Sequence, residues 1–140
     1  MGARGMVISE FDKKRLAKCI DHFQARGDER ECPYVDKLAT EVANATVIAD
    51  SKEMPHDVIT MNSISQLRDL DTGHERVYNL SFPADSDAAV GRISVFSPIG
   101  AAIFGCQVGD VVELMLPKGA CRMQIERIIY QPEAAGHWEL

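Results

Sequence analysis

Ser97-Pro98-Ile99-Gly100-Ala101-Ala102-Ile103-Phe104-Gly105-Cys106-Gln107-Val108-Gly109-Asp110 decides how the chain folds, because each backbone signal in it agrees with the next. Ser97 can accept a hydrogen bond from the free amides of a first helical turn, and Pro98 has its φ preset for a helix start and no donor to lose. Gly105 can take the left-handed conformation that closes a helix, which limits the element to about two turns. Val108-Gly109-Asp110 then turns into Val111-Val112-Glu113-Leu114-Met115-Leu116, whose alternation gives a strand with one apolar face. The stretch predicts a short capped helix between two strands. Ile99, Ala102 and Ile103 share one face of that helix and plug the open side of a sheet. Ser97, Pro98 and Gly100 sit at its exposed start, with amides pointing outward, where a partner can meet them.

The flanking sequence supplies the sheet. Arg92-Ile93-Ser94-Val95, with Phe96, forms the strand before the helix, and Asp57-Val58-Ile59-Thr60-Met61, bounded by Pro55 and Asn62-Ser63, reads as a first strand. Leu67 to Leu70 and Val77 to Phe82 flank Asp71-Thr72-Gly73-His74 as a hairpin, with Tyr78, Leu80 and Phe82 on one face. Pro83 to Asp87 is a loop by composition. Past Pro117-Lys118-Gly119-Ala120 comes a long last strand in which Cys121, Met123 and Ile125 face one way and Ile128 and Tyr130 fall on the other parity. A bulge near Glu126-Arg127 restores the face. Trp138 is expected to cover an edge of the core or of the hairpin.

Before residue 51 the period changes from two to three and four. Ser9-Glu10-Phe11-Asp12 places an N-cap with an acid three positions on, close to a capping box, and Leu16, Cys19 or Ile20, and Phe23 follow at helical spacing to about Arg26. Cys32-Pro33 opens a second helix, in which Val35, Leu38, Val42, Ala45 and Ala49 trace a coiled-coil seam. The linker between them is short, so the expectation is an antiparallel helical hairpin over 9–50, each helix about 25 Å long. Residues 1–8 are expected to be disordered and 51–140 to form the sheet domain, an α+β arrangement. The hairpin tip carries Asp28, Glu29 and Glu31. Clustered carboxylates of this kind can hold a hard cation such as Mg²⁺, but Arg26 and Arg30 are interleaved among them, as in an ordinary solvated turn, and no metal site is assigned.

Composition narrows the function classes. The chain has 140 residues, 46% of them hydrophobic, with a formal net charge of −6, enough for one core of ordinary size. Residues 56–140 carry six Lys/Arg against eleven Asp/Glu. A domain so acidic gains nothing from counterion release on a phosphate backbone, so a basic protein surface is the better partner than nucleic acid. No apolar run approaches the ~18 residues needed to cross a bilayer, Met1 to Met6 lacks an apolar secretion segment, and Met6 stands where a myristoylation motif needs Ser or Thr. A cytoplasmic location is expected. Cys19, Cys32, Cys106 and Cys121 are scattered without metal or redox spacing, as are His22, His56, His74 and His137. No P-loop or phosphate-cradling glycine array occurs, and neither a catalytic residue nor a cofactor is assigned.

Four segments carry a resemblance: Met54-Pro55-His56-Asp57-Val58-Ile59-Thr60-Met61-Asn62-Ser63, Ser97-Pro98-Ile99-Gly100-Ala101-Ala102, Val108-Gly109-Asp110, and Tyr130-Gln131-Pro132-Glu133-Ala134-Ala135-Gly136. They resemble the GreA/GreB transcription elongation factor family, closely over residues 50–140 and in layout over the helical hairpin. The resemblance implies an FKBP-like sheet domain that docks on RNA polymerase at the rim of its secondary channel, with a coiled coil pointing into that channel. It assigns polymerase contact to Phe96, Ser97, Pro98 and Gly100, although the residue before the Ser-Pro pair is often acidic in Gre factors. Gre arms are longer and bring an acidic tip with Mg²⁺ to the polymerase active site. A lever of about 25 Å stops short of it, which implies occupancy of the channel without transcript cleavage, in competition with Gre factors. Two alternatives stand beside this reading. One is a dimerising module paired through Val35, Leu38 and Val42. The other is an FKBP-like peptidyl-prolyl isomerase, against which the 6% aromatic content counts.

Overall fold

The computed structural model describes residues 6–25, 33–116 and 119–137. In chain order its elements are β1 (Val7–Ser9), α1 (Glu10–Ala25), α2 (Pro33–Ala43), β2 (Thr46–Ile48), β3 (Ile64–Asp69), β4 (Glu75–Ser81), β5 (Arg92–Ser94), α3 (Pro98–Ile103), β6 (Val111–Leu116), β7 (Gly119–Tyr130) and α4 (Pro132–Ala135). Among the described residues the strands form a two-stranded sheet, β1-β2, and a five-stranded sheet in the order β5-β4-β3-β7-β6. The chain is thus a mixed helix-and-sheet protein with a mainly antiparallel sheet. No helix among the described residues is long and apolar enough to cross a membrane.

The β3-β4 hairpin and the strand–helix–strand unit around α3 form where the sequence places them. In β7 the pairing with β3 skips Glu126 between Arg127 and Ile125, and skips Ile129 between Tyr130 and Ile128. The first bulge is the one that the parity switch requires. It lets Ile125 and Ile128 both pack on the core although they lie three residues apart. One pairing departs from the antiparallel expectation. β5 runs parallel to β4, because the chain leaves β4 through short 3-10 turns at Pro83–Asp85 and Ala88–Val90 and returns to run alongside its last three residues, Asn79 to Ser81.

The segment expected as a first strand, 57–61, joins no ladder. Val58 makes a lone bridge to Gln107, and the Ile59 amide donates to the Cys106 carbonyl at 2.9 Å. Val58, Ile59, Thr60 and Met61 are all at least 99% buried, so both parities are enclosed and the segment threads the core instead of lying on a sheet with one wet side.

The N-terminal half also departs from a free-standing hairpin. Residues 6–8, expected within a disordered segment, make contacts with the body of the fold. Met6 is buried, the Val7 amide donates to the Gly105 carbonyl at 3.2 Å, and β1 pairs in parallel with β2. Gly105 has φ +78°, and a Cβ there would fall 2.2 Å from the Met6 Cγ, so the helix stop and the N-terminal strand fit only around a glycine. The second helix ends at Ala43, not near residue 50. Asn44 is a poor helix former, and the β-branched run Thr46-Val47-Ile48 goes into β2. Leu16, Leu38 and Val42 belong to the same buried cluster as Ile59, Leu67, Leu80, Ile103 and Ile125, so the core runs straight across the expected domain boundary at residue 51. Val35, Leu38 and Val42 are 1%, 1% and 4% exposed. The seam expected to pair with a second copy is used up within the chain.

Candidate functional site

The start of α3 is held by two serines three residues apart. Ser97 is the N-cap, with φ −75° and ψ 161°, and its Oγ accepts the Gly100 amide at 3.1 Å. The same hydroxyl donates to the Ser94 carbonyl at 2.6 Å, which also accepts the Ser97 amide at 2.9 Å. One turn earlier the Phe96 amide donates to Ser94 Oγ at 3.0 Å. Gly100 is buried against this turn, and a Cβ on it would lie 2.0 Å from the Ser94 carbonyl oxygen and 2.9 Å from its carbon. No side chain fits there. The first turn of α3 therefore touches the end of β5 backbone to backbone.

The expected contact residues thus divide by direction. Ser97 and Gly100 work inward, holding the turn. Pro98 lines a cleft of about 160 Å³ with Ala101 and Ala102, facing Lys37 and Leu38 of α2 and Glu113 and Leu114 of β6. The half-buried ring of Phe96 turns the other way, onto Phe23 of α1, edge to face at 5.5 Å between centroids and 70° between planes. The Ser-Pro turn sits at the junction of sheet and arm, in contact with α1 on one side and facing α2 on the other. The acidic tip residues Asp28, Glu29 and Glu31 lie outside the described residues, as do Cys32 and Trp138. Among the described residues no three His, Cys, Asp or Glu groups gather as a metal site.

A buried polar cluster behind the turn was not read as a unit from the sequence. Asp12 has no exposed surface. Its Oδ2 accepts the Met61 amide at 3.1 Å, and Oδ1 pairs with the Arg15 guanidinium. Burial pushes the Asp12 carboxyl up to about 6, with the Arg15 hydrogen bond and charge pulling partly the other way. Arg15 in turn lies 4.0 Å over the Phe11 ring and 4.8 Å from the Phe82 centroid. Thr60 Oγ1 donates to buried Glu133 Oε1 at 2.7 Å and lies 2.8 Å from Ser63 Oγ. Gln131 Nε2 donates to the carbonyls of Pro55 and Val58, each at 2.8 Å. Segments 54–63 and 130–136 are therefore one structural unit, to which Asp12 ties the arm. Half of the capping box forms, with the Asp12 amide donating to Ser9 Oγ at 3.1 Å. The Asp12 carboxylate, which would close the box, is spent on Met61 instead, and Ser9-x-x-Asp12 was the signal that located it.

The described residues thus form a helical pair rooted in a bulged, mainly antiparallel sheet beside a Ser-Pro-capped helix. The fold matches the solved structure of the prokaryotic transcription elongation factor GreA/GreB from Nitrosomonas europaea with a TM-score of 0.73 and 31% identity, covering 90% of this chain and 98% of that one. Residues 54–130 match the family described as transcription elongation factor, GreA/GreB, C-terminal. The chain is 36% identical to the regulator of nucleoside diphosphate kinase of Escherichia coli K12 over 136 residues, 96% of each chain. It is also 31% identical to the transcription elongation factor GreA of Helicobacter hepaticus, over 89% of this chain and 84% of that one. The chain belongs to the GreA/GreB transcription elongation factor family.

Proposed function

We propose that this protein is a cytoplasmic, non-enzymatic transcription regulator that binds RNA polymerase at the rim of the secondary channel and occupies the channel without stimulating transcript cleavage, competing with Gre-type factors. The observation that carries the reading is the short, rooted arm. α1 has 16 residues, roughly 24 Å of helix, and its first half is buried in the core through Asp12 and Leu16. The described part of α1 beyond Leu16 is shorter still, nine residues from Ala17 to Ala25. In this reading α1 and α2 form an antiparallel coiled-coil hairpin, the sheet is FKBP-like, and Pro98 with the turn held by Ser97 and Gly100 is the docking end. Similarity to a regulator of nucleoside diphosphate kinase over nearly its whole length supports the same class of relative, and an effect on that enzyme would follow from altered transcription.

The test is co-elution of the purified protein with core RNA polymerase on gel filtration, with a Gre factor as competitor. Binding that the Gre factor reverses, together with no increase in cleavage of backtracked transcripts, is the expected result. Failure to co-elute at micromolar concentrations removes the polymerase reading, and stimulated cleavage removes the inert-arm reading.

A further inference from the structure

We infer that Phe96 is a positioning residue for the arm rather than a surface contact for the partner, acting through its ring contact with Phe23. The inference rests on the polymerase reading for its functional consequence, but its structural part concerns the free protein.

α1 meets the sheet body along one stripe, Asp12, Arg15, Cys19 and Phe23, spaced three, four and four residues apart as one face of a helix requires. Each position has its own partner. Asp12 accepts the Met61 amide, Arg15 lies over Phe82, and Cys19, His22 and Phe23 line a groove of about 630 Å³ whose far wall is Phe82, Pro83, Ala84 and Phe96. The neighbouring stripe, Leu16 and Ile20, is buried. Phe23 is the outermost of these contacts that the described residues show, two residues before the last described residue of α1, and it meets Phe96 edge to face. Leu16 and Ile20 seat the inner part of α1 in the core, and beyond Ile20 the groove separates the helix from Pro83 and Ala84, so that Phe23 on Phe96 is the contact that spans it. The pair closes the span. Phe96 directly precedes Ser97, whose cap sets α3, so the direction of the arm is referred to the same turn that presents Pro98.

The experiment is a double-mutant cycle with Phe23→Ala, Phe96→Ala and the double variant, plus Phe96→Leu, which keeps apolar volume but removes the ring edge. Spin labels on ketone-bearing residues replacing exposed Asp21 and Val77, which leave the native cysteines alone, give an arm-to-sheet distance distribution in the free protein. The expected result is a distribution broadened alike by either Ala change, by Phe96→Leu and by the double variant, and narrow again in Phe96→Tyr. Affinity for core polymerase should fall about two- to tenfold in each single variant and no further in the double, since an edge-to-face pair is lost once. An unchanged distance distribution overturns the inference. So does an affinity loss for Phe96→Ala with none for Phe23→Ala, which would make Phe96 a direct contact. If the parent protein fails to bind polymerase, the functional proposal falls, and the distance distributions alone decide the clamp.

Discussion

Replacing Gly100 by Ala adds one methyl group at the most constrained point of the candidate site. Its Cβ would lie 2.0 Å from the Ser94 carbonyl oxygen, so either that carbonyl or the first turn of α3 must move by on the order of 1 Å. Neither is free to do so at low cost. The same oxygen accepts the Ser97 amide at 2.9 Å and the Ser97 hydroxyl at 2.6 Å, and relieving the clash strains both bonds. Overpacking costs about 1–3 kcal/mol, and each weakened hydrogen bond about 1 kcal/mol. Ala is better than Gly in a helix interior by about 1 kcal/mol, which offsets part of this. A net loss of about 3 kcal/mol follows, or about 10 °C in Tm for a chain of this length. Urea denaturation followed by far-UV circular dichroism measures it, with an unchanged m-value. Gly73→Ala is the control: no atom lies within 4 Å of its Cβ, but φ is +79°, so the cost there is left-handed backbone alone, about 1–2 kcal/mol. A Gly100→Ala protein within 0.5 kcal/mol of its parent, an interval about the size of measurement error, would refute the close-contact argument.

Asp12→Asn tests the buried carboxylate. Its pKa in the folded chain is raised to about 6 from 3.8, so the folded state holds the proton more tightly, and the stability contributed by protonation is complete below about pH 4 and lost as pH rises through 6. As pH falls from 7 to 4 the parent should therefore gain about 2 kcal/mol relative to the Asn variant in a pH series of urea titrations, and parallel profiles would refute the assignment. Leu38→Ala removes a side chain that is 1% exposed in the cluster shared by arm and sheet, at a cost of about 3 kcal/mol. Because the core is continuous, unfolding should stay a single transition by circular dichroism and by near-UV probes. A separate early melt of the helices would show that the arm is an independent unit.

The parts of the fold that could be read from the sequence are those in which a local signal and the tertiary outcome coincide. Ser97-Pro98 with Gly105 marks both ends of α3 within a residue, because cap, preset φ and left-handed stop are backbone chemistry that tertiary packing has little power to change. The Glu126 bulge was readable because Ile125 and Ile128 cannot share a face in a regular strand. The misreadings have the opposite origin. Val58, Ile59 and Met61 look like a strand, but β propensity reports a half-buried surface, and these residues are buried on every side. The parallel pairing of β5 and the burial of Met6 depend on where distant segments lie, which no local period encodes. At the candidate site the sequence marks where the helix starts but not which way each residue faces: Gly100 was expected at an exposed start, and only the approach of the Ser94 carbonyl shows it buried, as only the approach of α1 shows the Phe96 ring set against Phe23.

That inward turn separates two properties of the protein. Presentation of Pro98 is set by Ser94, Ser97 and Gly100, all within one turn of backbone. Reach is set by how far α1 and α2 continue beyond Phe23, since everything below it is committed: Asp12 to Met61, Leu16 to the core, Arg15 to Phe82, Phe23 to Phe96. Length added beyond that point disturbs none of these contacts, whereas length added below it would rotate the stripe off its partners by about 100° per residue. The outer face of the sheet bears on the partner class. Arg68 pairs with Glu75 at 3.0 Å and Glu126 at 3.3 Å, and Arg122 with Asp71 at 3.3 Å. Exposed pairs like these contribute little stability, but they engage cations that a phosphate backbone would need, in a half that is already net acidic. Those engaged cations and the net acidity favour a protein surface over nucleic acid as the partner, in keeping with the function proposed above.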